Sequence, residues 1–354
     1  MGRTVTIGRV AILTKNHNGR AACHYCGPCE RGCVTTSYFA SPNTTIKDAL
    51  ATGRLTLLTD AVAAKVVTKD GKATGVAYFD RTTRAPREVK GKIVMLCAST
   101  LESTRLLMNS NIGNTSDALG KYLMDHIYQG GAQGMMPNLE TRAWAGPPRR
   151  PNGIYIPRFR NVTEKTTNGF IRGYGYQGGS TPSFDFGAAG FGAEYKDAVR
   201  KGRYGISINL WGECLARKEN HVTIDKDKVD AWGIPVLKIN ADWGDNEKKM
   251  WRDGVAQAAE MLEAAGAKNI GTTPDGRWSV PGFCIHEVGT ARMGLDSKTS
   301  VLNRYNQVWD TENVFVTDGA CYVSIGCQNP TLTMMAITVR ACDYVIREYA
   351  KKSA

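Results

Sequence analysis

The stretch GFCIHEVGTARMG at residues 282–294, followed by VFVTDGACYVSIGCQNPTLTMM at residues 314–335, decides the fold expected of this chain. The first part contains His286, one of only five histidines, directly after an apolar run. A single histidine in such a place is usually a core residue with a hydrogen-bonded ring. The glycines and the threonine that follow it predict a tight loop instead, which favours a histidine that faces a ligand.

The second part predicts a strand, a ligand-contacting turn and a helix start. An apolar strand at Val314–Val316 runs into Asp318 and Gly319, a pattern that brings the backbone close to a ligand. Further on, Asn329 followed by proline and Thr331 is typical of a helix start, because Asn can cap a helix and Pro suits its first turn. A helix N-terminus also offers free N–H groups to an anionic or electron-rich ligand.

These motifs, HEVGTARMG, then DGA, then NPTLT, resemble the C-terminal signature of the glucose–methanol–choline (GMC) family of FAD-dependent oxidoreductases. Within that family they are most similar to pyranose oxidase and the bacterial sugar dehydrogenases. The resemblance implies that His286 is the base that faces the flavin and that Asn329 is its partner. It also implies that Asp318, Gly319 and Thr331 approach the FAD.

A second block supports the same resemblance. The sequence KGKIVMLCAST at residues 90–100 predicts a buried strand and a polar turn, and ESTRLLMNSNIG at residues 102–113 predicts a helix. An ordinary strand–helix junction would have the same pattern. The block also resembles a second GMC signature, which implies that Ala98 and Ser99 lie near the FAD pyrophosphate and that the strand containing Val62 passes the adenine.

Four cysteines are closely spaced in CHYCGPCERGC, at Cys23, Cys26, Cys29 and Cys33. Their C-x2-C-x2-C-x3-C spacing is that of bacterial ferredoxins, because short spacers wrap three thiolates around one face of a cluster. We therefore predict an iron–sulfur cluster, either 3Fe–4S or 4Fe–4S. The alternatives are a zinc site, with His24 as an extra ligand, and cysteines that are free or disulfide-bonded.

The expected fold class is α+β and GMC-like, with an incomplete α/β FAD-binding part. Residues 1–126 and 286–354 are assigned to the FAD-binding domain and residues 127–285 to a substrate-binding domain built on an antiparallel sheet. Strand-like alternation with little helical periodicity predicts that sheet. The sequence contains no G-x-G-x-x-G motif at a strand–helix junction. The resemblance therefore implies that the chain corresponds to the C-terminal two-thirds of a family member.

Several local patterns predict individual elements. Asp70-Gly71 predicts a hairpin turn, and residues 37–53 and 245–265 predict helices. Residues 181–196 predict a glycine-containing loop, either a lid or a surface loop. The Asp125-His126 pair is expected to be structural.

Composition excludes some classes of function. The chain has 354 residues, of which 42% are hydrophobic, enough for a large core. Its formal net charge is +12, but no run of Lys and Arg exceeds three residues, so we expect no nucleic-acid groove. No apolar stretch is long enough for a transmembrane helix. The N-terminus lacks the pattern of a signal peptide, so the compartment stays open, either cytoplasmic or periplasmic, and export would depend on a missing segment or a carrier subunit.

Together these patterns predict FAD-dependent oxidation of a sugar or polyol CH–OH group, with hydride transfer to the flavin. Electrons would pass through the iron–sulfur cluster to an external acceptor or an electron-transfer subunit. One alternative is an oxygen-using, pyranose-oxidase-like enzyme without a cluster. Another is a catalytically inert metal-binding fragment.

Overall fold

The computed structural model describes residues 1–27, 29–137, 153–163, 168–183, 187, 189–200, 203–349 and 351. Its strands are β1 Thr6–Ile7, β2 Ala61–Lys69, β3 Lys72–Asp80, β4 Pro86–Lys90, β5 Val94–Leu96, β6 Gly131–Met135, β7 Ile154–Ile156, β8 Tyr174–Ser183, β9 Arg203–Gly212, β10 His221–Val229, β11 Pro235–Asn240, β12 Lys268–Thr272 and β13 Val314–Val316. Its α-helices are α1 Thr45–Ala51, α2 Thr100–Asn109, α3 Gly192–Arg200, α4 Asp245–Ala264 and α5 Thr331–Tyr344.

The largest element is a six-stranded sheet in the order β1-β7-β8-β9-β6-β12, in which every neighbouring pair is antiparallel. Helix α4 packs against β6, β9 and β12. The apolar face of this helix buries Met250, Trp251, Ala258 and Leu262. Each large apolar side chain buried in this way contributes about 1.5–3 kcal/mol to stability. The antiparallel sheet expected between residues 127 and 285 is thus present, and β1 joins it from the N-terminal region.

A smaller parallel pair lies in a different part of the core. Strand β13 pairs with β5 so that Val314 is opposite Val94 and Val316 is opposite Leu96. Strand β13 is completely buried. Helix α2 begins directly after β5, and a short 3-10 turn at Gly319–Cys321 follows β13. The carboxyl ends of both strands therefore meet at one edge, where open parallel sheets bind their ligands.

The predicted hairpin at Asp70-Gly71 is confirmed. Strands β2 and β3 pair antiparallel across these two residues, and β4 extends them into a three-stranded sheet. Asp70 and Gly71 have φ values of 50° and 75°. Positive φ at both central residues defines the type I′ turn, whose twist matches that of the strands.

The structure departs from the sequence-based expectation in the segment 181–196 and in the first helix, which is α1 Thr45–Ala51 rather than residues 37–53. The segment 181–196 is not a continuous loop, because β8 extends to Ser183 and α3 begins at Gly192; residues 184–186 and 188 lie outside the described residues. Helix α5 is largely exposed to solvent: Leu332 is 79% exposed and Val339 is 64% exposed. Its apolar-rich sequence did not show which face meets the core. In the described part of the chain, no helix combines the length and the apolarity needed to cross a bilayer.

Candidate active site

The two halves of the diagnostic stretch lie side by side. Three backbone N–H groups of residues 289–293 donate to the carbonyls of residues 319–321, at 2.8–3.0 Å. The Thr100 hydroxyl, at the start of α2, donates to the carbonyl of Glu287. A Cβ at Gly319 would lie 2.8 Å from that same carbonyl oxygen, so only glycine fits where these segments converge. The first half of the stretch is thereby joined to the carboxyl ends of β5 and β13.

The loop that carries His286 is held by a single carboxylate. Asp125 accepts hydrogen bonds from the backbone N–H groups of His126 at 2.8 Å, Gly282 at 2.9 Å, Cys284 at 3.3 Å and His286 at 3.1 Å. Its side chain is buried, which raises its pKa, and the four N–H donors oppose that shift. The Asp125 carboxylate therefore fixes both ends of the 282–286 loop.

Two histidines and a cysteine converge in this loop. The Nδ1 atoms of His126 and His286 are 3.0 Å apart, and the Sγ of Cys284 is 3.4 Å from the same Nδ1 of His286. His126 and Cys284 are buried, whereas His286 is half-buried. The two imidazole rings meet edge to face. Since the structure does not fix tautomers, either ring can be the donor in the Nδ1–Nδ1 contact.

Burial keeps both rings neutral near pH 7. Burial, with a smaller contribution from the neighbouring His286, lowers the pKa of His126 to about 3. The backbone of Gly326 opposes this shift, although Nε2 of His126 has no hydrogen-bond partner among the described residues. Burial also lowers the pKa of His286, and the carboxylate of Glu287 partly opposes this shift. The thiol of Cys284 has its pKa raised to about 12 by burial.

The backbone next to His286 is strained. Ile285 has a φ of 55°, and its side chain is 78% exposed. A β-branched residue in the left-handed region is a genuine conformational outlier, and such outliers cluster at functional sites. Phe283, on the same loop, is 51% exposed. The loop thus presents apolar side chains to solvent beside a half-buried imidazole.

The predicted cofactor residues at the two strand ends come together. Asp318 accepts hydrogen bonds from the Ser103 hydroxyl, from the backbone N–H of Ala320 at 2.9 Å and from the backbone of Ser99. Burial raises the pKa of Asp318 and these donors lower it. Ala98 and Ser99 are exposed directly after buried β5. Ser99 has a φ of 71°, the conformation in which α2 starts. The carboxylate of Asp318 therefore joins the two strand ends to α2.

Asn329 does not cap a helix, contrary to the sequence-based expectation. Helix α5 starts at Thr331 after Pro330, and no side chain caps it. The Oδ1 of Asn329 instead accepts a hydrogen bond of 2.6 Å from Nε2 of Gln177 on β8. Asn329 and Thr331 are both exposed, and the adjoining Leu332 is 79% exposed. The amide is thus oriented by the large sheet rather than used by its own helix.

The remaining candidates lie elsewhere. Val62 is on β2, opposite Phe79 in the three-stranded sheet. In the 23–33 segment, burial and repulsion from Cys23, Cys26 and Cys33 raise the pKa of Cys29, which indicates that the four thiols are near one another.

Cys33 differs from its neighbours, because hydrogen bonds from the hydroxyls of Ser37 and Thr35 lower its pKa to about 6. Tetrahedral zinc with Zn–S bonds of about 2.3 Å would require sulfurs about 3.8 Å apart. Among the described residues, only His126, Cys284 and His286 have their ligand atoms all within 4.8 Å of one another. The cysteines are therefore not preformed as a zinc site.

Sequence reasoning missed three residues of this site. His126 was expected to be structural, and neither Cys284 nor Gln177 was assigned a role in the site. The C-x-H spacing of Cys284 and His286 was a signal that could have been used. Gln177 and His126 carry no comparable signal, because their partners are 152 and 160 positions away.

Comparison with known proteins places these features in a family. The N-terminal GMC oxidoreductase model matches residues 7–128, and the C-terminal model matches residues 216–338, together more than half of the chain. The 2-methyl-1,2-propanediol dehydrogenase of Mycolicibacterium austroafricanum is 32% identical over 96% of this chain and 63% of its own length. The gluconate 2-dehydrogenase flavoprotein of Pantoea cypripedii is 28% identical over 93% of this chain and 57% of its own length. The chain thus spans about three-fifths of these relatives.

Solved structures support the same fold. Pyridoxine 4-oxidase from Mesorbium loti aligns with a TM-score of 0.58 at 16% identity, over 88% of this chain and 61% of that one. The formate oxidase of Aspergillus oryzae RIB40 aligns with a TM-score of 0.57 at 15% identity, over 82% of this chain and 60% of that one. At this level of identity the likeness concerns the fold, and it confirms the expected α+β class.

Proposed function

Because this chain belongs to the GMC oxidoreductase family, we propose that it oxidises a CH–OH group of a sugar or polyol to the carbonyl, with FAD as its cofactor. FAD, when bound, supplies the hydride acceptor. The observation that carries the proposal is the half-buried, neutral imidazole of His286, whose Nδ1 is engaged by His126. Two of the relatives named above are a diol dehydrogenase and a sugar-acid dehydrogenase, which supports this substrate class.

The residues around the strand ends fit a large cofactor. Ala98 and Ser99 are exposed after β5, which pairs with the completely buried β13, and the N-terminus of α2 begins beside them. Helix N-termini bind phosphate groups. Three residues after Asn329, the exposed Leu332 provides apolar surface that suits a flat ring system. We assign Ala98, Ser99 and Gly319 to the FAD site, with Asp318 as the residue that orients them; Val62 and Thr331 stay predictions.

His286 acts as the base in this proposal. A neutral imidazole that accepts a proton at Nε2 must carry its own proton on Nδ1. In that tautomer Nδ1 of His286 donates to Nδ1 of His126 across 3.0 Å. His126 then carries its proton on Nε2, on the side of Gly326. The buried His126 thus orients the His286 ring and holds it in the tautomer that can take the hydroxyl proton of the substrate.

Asn329 is the proposed partner of His286. Its Oδ1 is already engaged by Gln177, so its amide N–H groups are directed elsewhere. An amide N–H can donate to the substrate oxygen as negative charge develops on it, and such stabilisation contributes several kcal/mol. The amide does not titrate, so this contribution is independent of pH.

The four cysteines at 23–33 are the proposed site of an iron–sulfur cluster. The closeness of the other three cysteines to Cys29 and the lowered pKa of Cys33 support a cluster at this segment. A cluster there would supply one-electron chemistry and favour an external electron acceptor. Without a cluster, oxygen is the candidate acceptor, as in an oxidase.

The test is to purify the protein with any co-encoded subunit, supply FAD and follow the flavin absorbance anaerobically. We expect sugars or polyols to bleach the flavin, and an artificial electron acceptor to restore it. Iron and sulfide analysis, together with peroxide measured in air, separates the dehydrogenase from the oxidase. A flavin-loaded protein that none of these alcohols reduces would refute the proposal.

The pH profile provides a separate prediction. The pKa of His286 is lowered from 6.5 by burial, so the ring is free to accept a proton above that lowered value. We expect kcat/KM to fall on the acid side only below about pH 6.5, and to be flat from there to neutrality. The Glu287 carboxylate raises this pKa, so Glu287→Gln should move the acid limb to lower pH. A limb above pH 7, or one that does not respond to Glu287→Gln, would argue against His286 as the base.

A further inference from the structure

The cluster of His126, Cys284 and His286 has the geometry of a transition-metal site. Tetrahedral zinc with bonds of about 2.0–2.1 Å to nitrogen and about 2.3 Å to sulfur separates two nitrogens by about 3.3 Å, and a nitrogen from a sulfur by about 3.5 Å. The observed separations are 3.0 Å between the two Nδ1 atoms and 3.4 Å between Sγ and Nδ1 of His286. All three ligand atoms lie within 4.8 Å of one another.

The scaffold behind the three side chains is also that of a built site. Asp125 accepts the backbone N–H of His126, of Cys284 and of His286 with one buried carboxylate. All three candidate ligands are therefore positioned by the same group before any ion arrives, which is the preorganisation that a metal site requires. The other ring nitrogen of His126, Nε2, is buried on the side of the Gly326 backbone and has no hydrogen-bond partner among the described residues. Ligation through Nδ1 therefore leaves Nε2 where it is.

We propose that this cluster binds Zn²⁺ or a similar borderline-soft transition metal, and that the bound ion blocks the base. Two imidazoles and a thiolate suit zinc and copper, whereas magnesium and calcium require oxygen ligands. Binding forms bonds from the metal to the two Nδ1 atoms and to Sγ, and the thiol proton of Cys284 passes to solvent. Three protein ligands leave a fourth position on the ion for water.

The expected inhibition of turnover follows from the tautomer that metal binding imposes on the His286 ring. An imidazole that binds a metal through Nδ1 and stays neutral carries its proton on Nε2. His286 would then present a donor to the substrate and could not accept its proton. This consequence rests on the proposed role of His286, whereas the metal site itself does not. Metal binding is therefore measured directly, without turnover.

The experiment titrates Co²⁺ into reduced protein that carries Cys26→Ser and Cys29→Ser, which leaves only two of the four thiols of the 23–33 segment and so weakens that segment as a competing site. Co²⁺ takes zinc's ligands, and a cobalt–thiolate bond gives a charge-transfer band in the near ultraviolet. We expect one Co²⁺ per chain with such a band, displaced by Zn²⁺. Cys284→Ser should remove the band and weaken binding about tenfold or more. Cys342→Ser, on α5, is the matched control and should retain both.

Absence of the cobalt–thiolate band, or a band that survives Cys284→Ser, would overturn the proposal. Circular dichroism of each variant separates loss of the ligand from loss of the fold. If the protein turns over substrate, Zn²⁺ should lower the rate of the protein that has Cys284 more than it lowers the rate of the Cys284→Ser variant. An inactive protein that still binds Co²⁺ through Cys284 would contradict the proposed oxidation and leave the metal site supported.

Discussion

Replacing His286 with Gln is expected to lower kcat/KM by about a thousandfold, because general-base catalysis by a positioned side chain typically contributes 10²–10⁴-fold. Glutamine keeps much of the shape of the ring but cannot accept a proton. The backbone N–H of His286 would still bind Asp125, so the loop should keep its conformation. The measurement is steady-state turnover of an alcohol that reduces the flavin in the parent protein.

The control for this variant is His17→Gln, at an exposed histidine in the N-terminal region. It should turn over at the parent rate, and all three proteins should bind the same amount of flavin. Parent turnover in His286→Gln would exclude the ring as the base. Loss of flavin together with turnover would instead assign His286 to cofactor binding.

Replacing Asp125 with Asn is expected to give the largest loss of stability. The carboxylate accepts four backbone N–H groups, whereas an asparagine has one acceptor oxygen and turns an NH₂ group toward the remaining donors. Buried donors left without acceptors cost about 1–3 kcal/mol each, and breaking such a buried charged network costs about 3–5 kcal/mol in total. We expect a loss of this size in the free energy of unfolding, measured by urea denaturation.

Asp48→Asn is the matched control, since Asp48 is exposed on α1. It should change the free energy of unfolding by less than about 0.5 kcal/mol. An Asp125→Asn protein as stable as this control would mean that the 282–286 loop keeps its shape without the carboxylate. The account of how His286 is positioned would then be wrong.

Periodicity and turn chemistry were enough to predict much of the fold. The hairpin at Asp70-Gly71, the amphipathic helix α4 and the antiparallel sheet are local patterns that need no knowledge of distant partners. The exposure of α5 could not be read in this way. Its first ten residues are rich in apolar side chains on every side, and only the rest of the structure decides which face is covered.

Candidate site residues could be predicted where they belong to one continuous sequence motif. They could not be predicted where the contact joins residues that are far apart in the sequence. His286 and Asn329 stand out in the sequence. The contact between His286 and His126 spans 160 positions, and the bond from Gln177 to Asn329 spans 152. The helix-cap pattern predicted that Asn329 would cap α5, whereas its side chain binds Gln177 on β8. Local propensity contains no information about a donor on a distant strand.

Ile285 links strain to function in this loop. Its left-handed backbone costs on the order of 1–3 kcal/mol, and its exposed side chain recovers little of that by burial. Asp125 accepts the backbone N–H groups of Cys284 and His286, on either side of Ile285, and so offsets this cost. We expect the loop to be released as a unit when the Asp125 carboxylate is lost, because this one group binds the backbone N–H groups on both sides of Ile285.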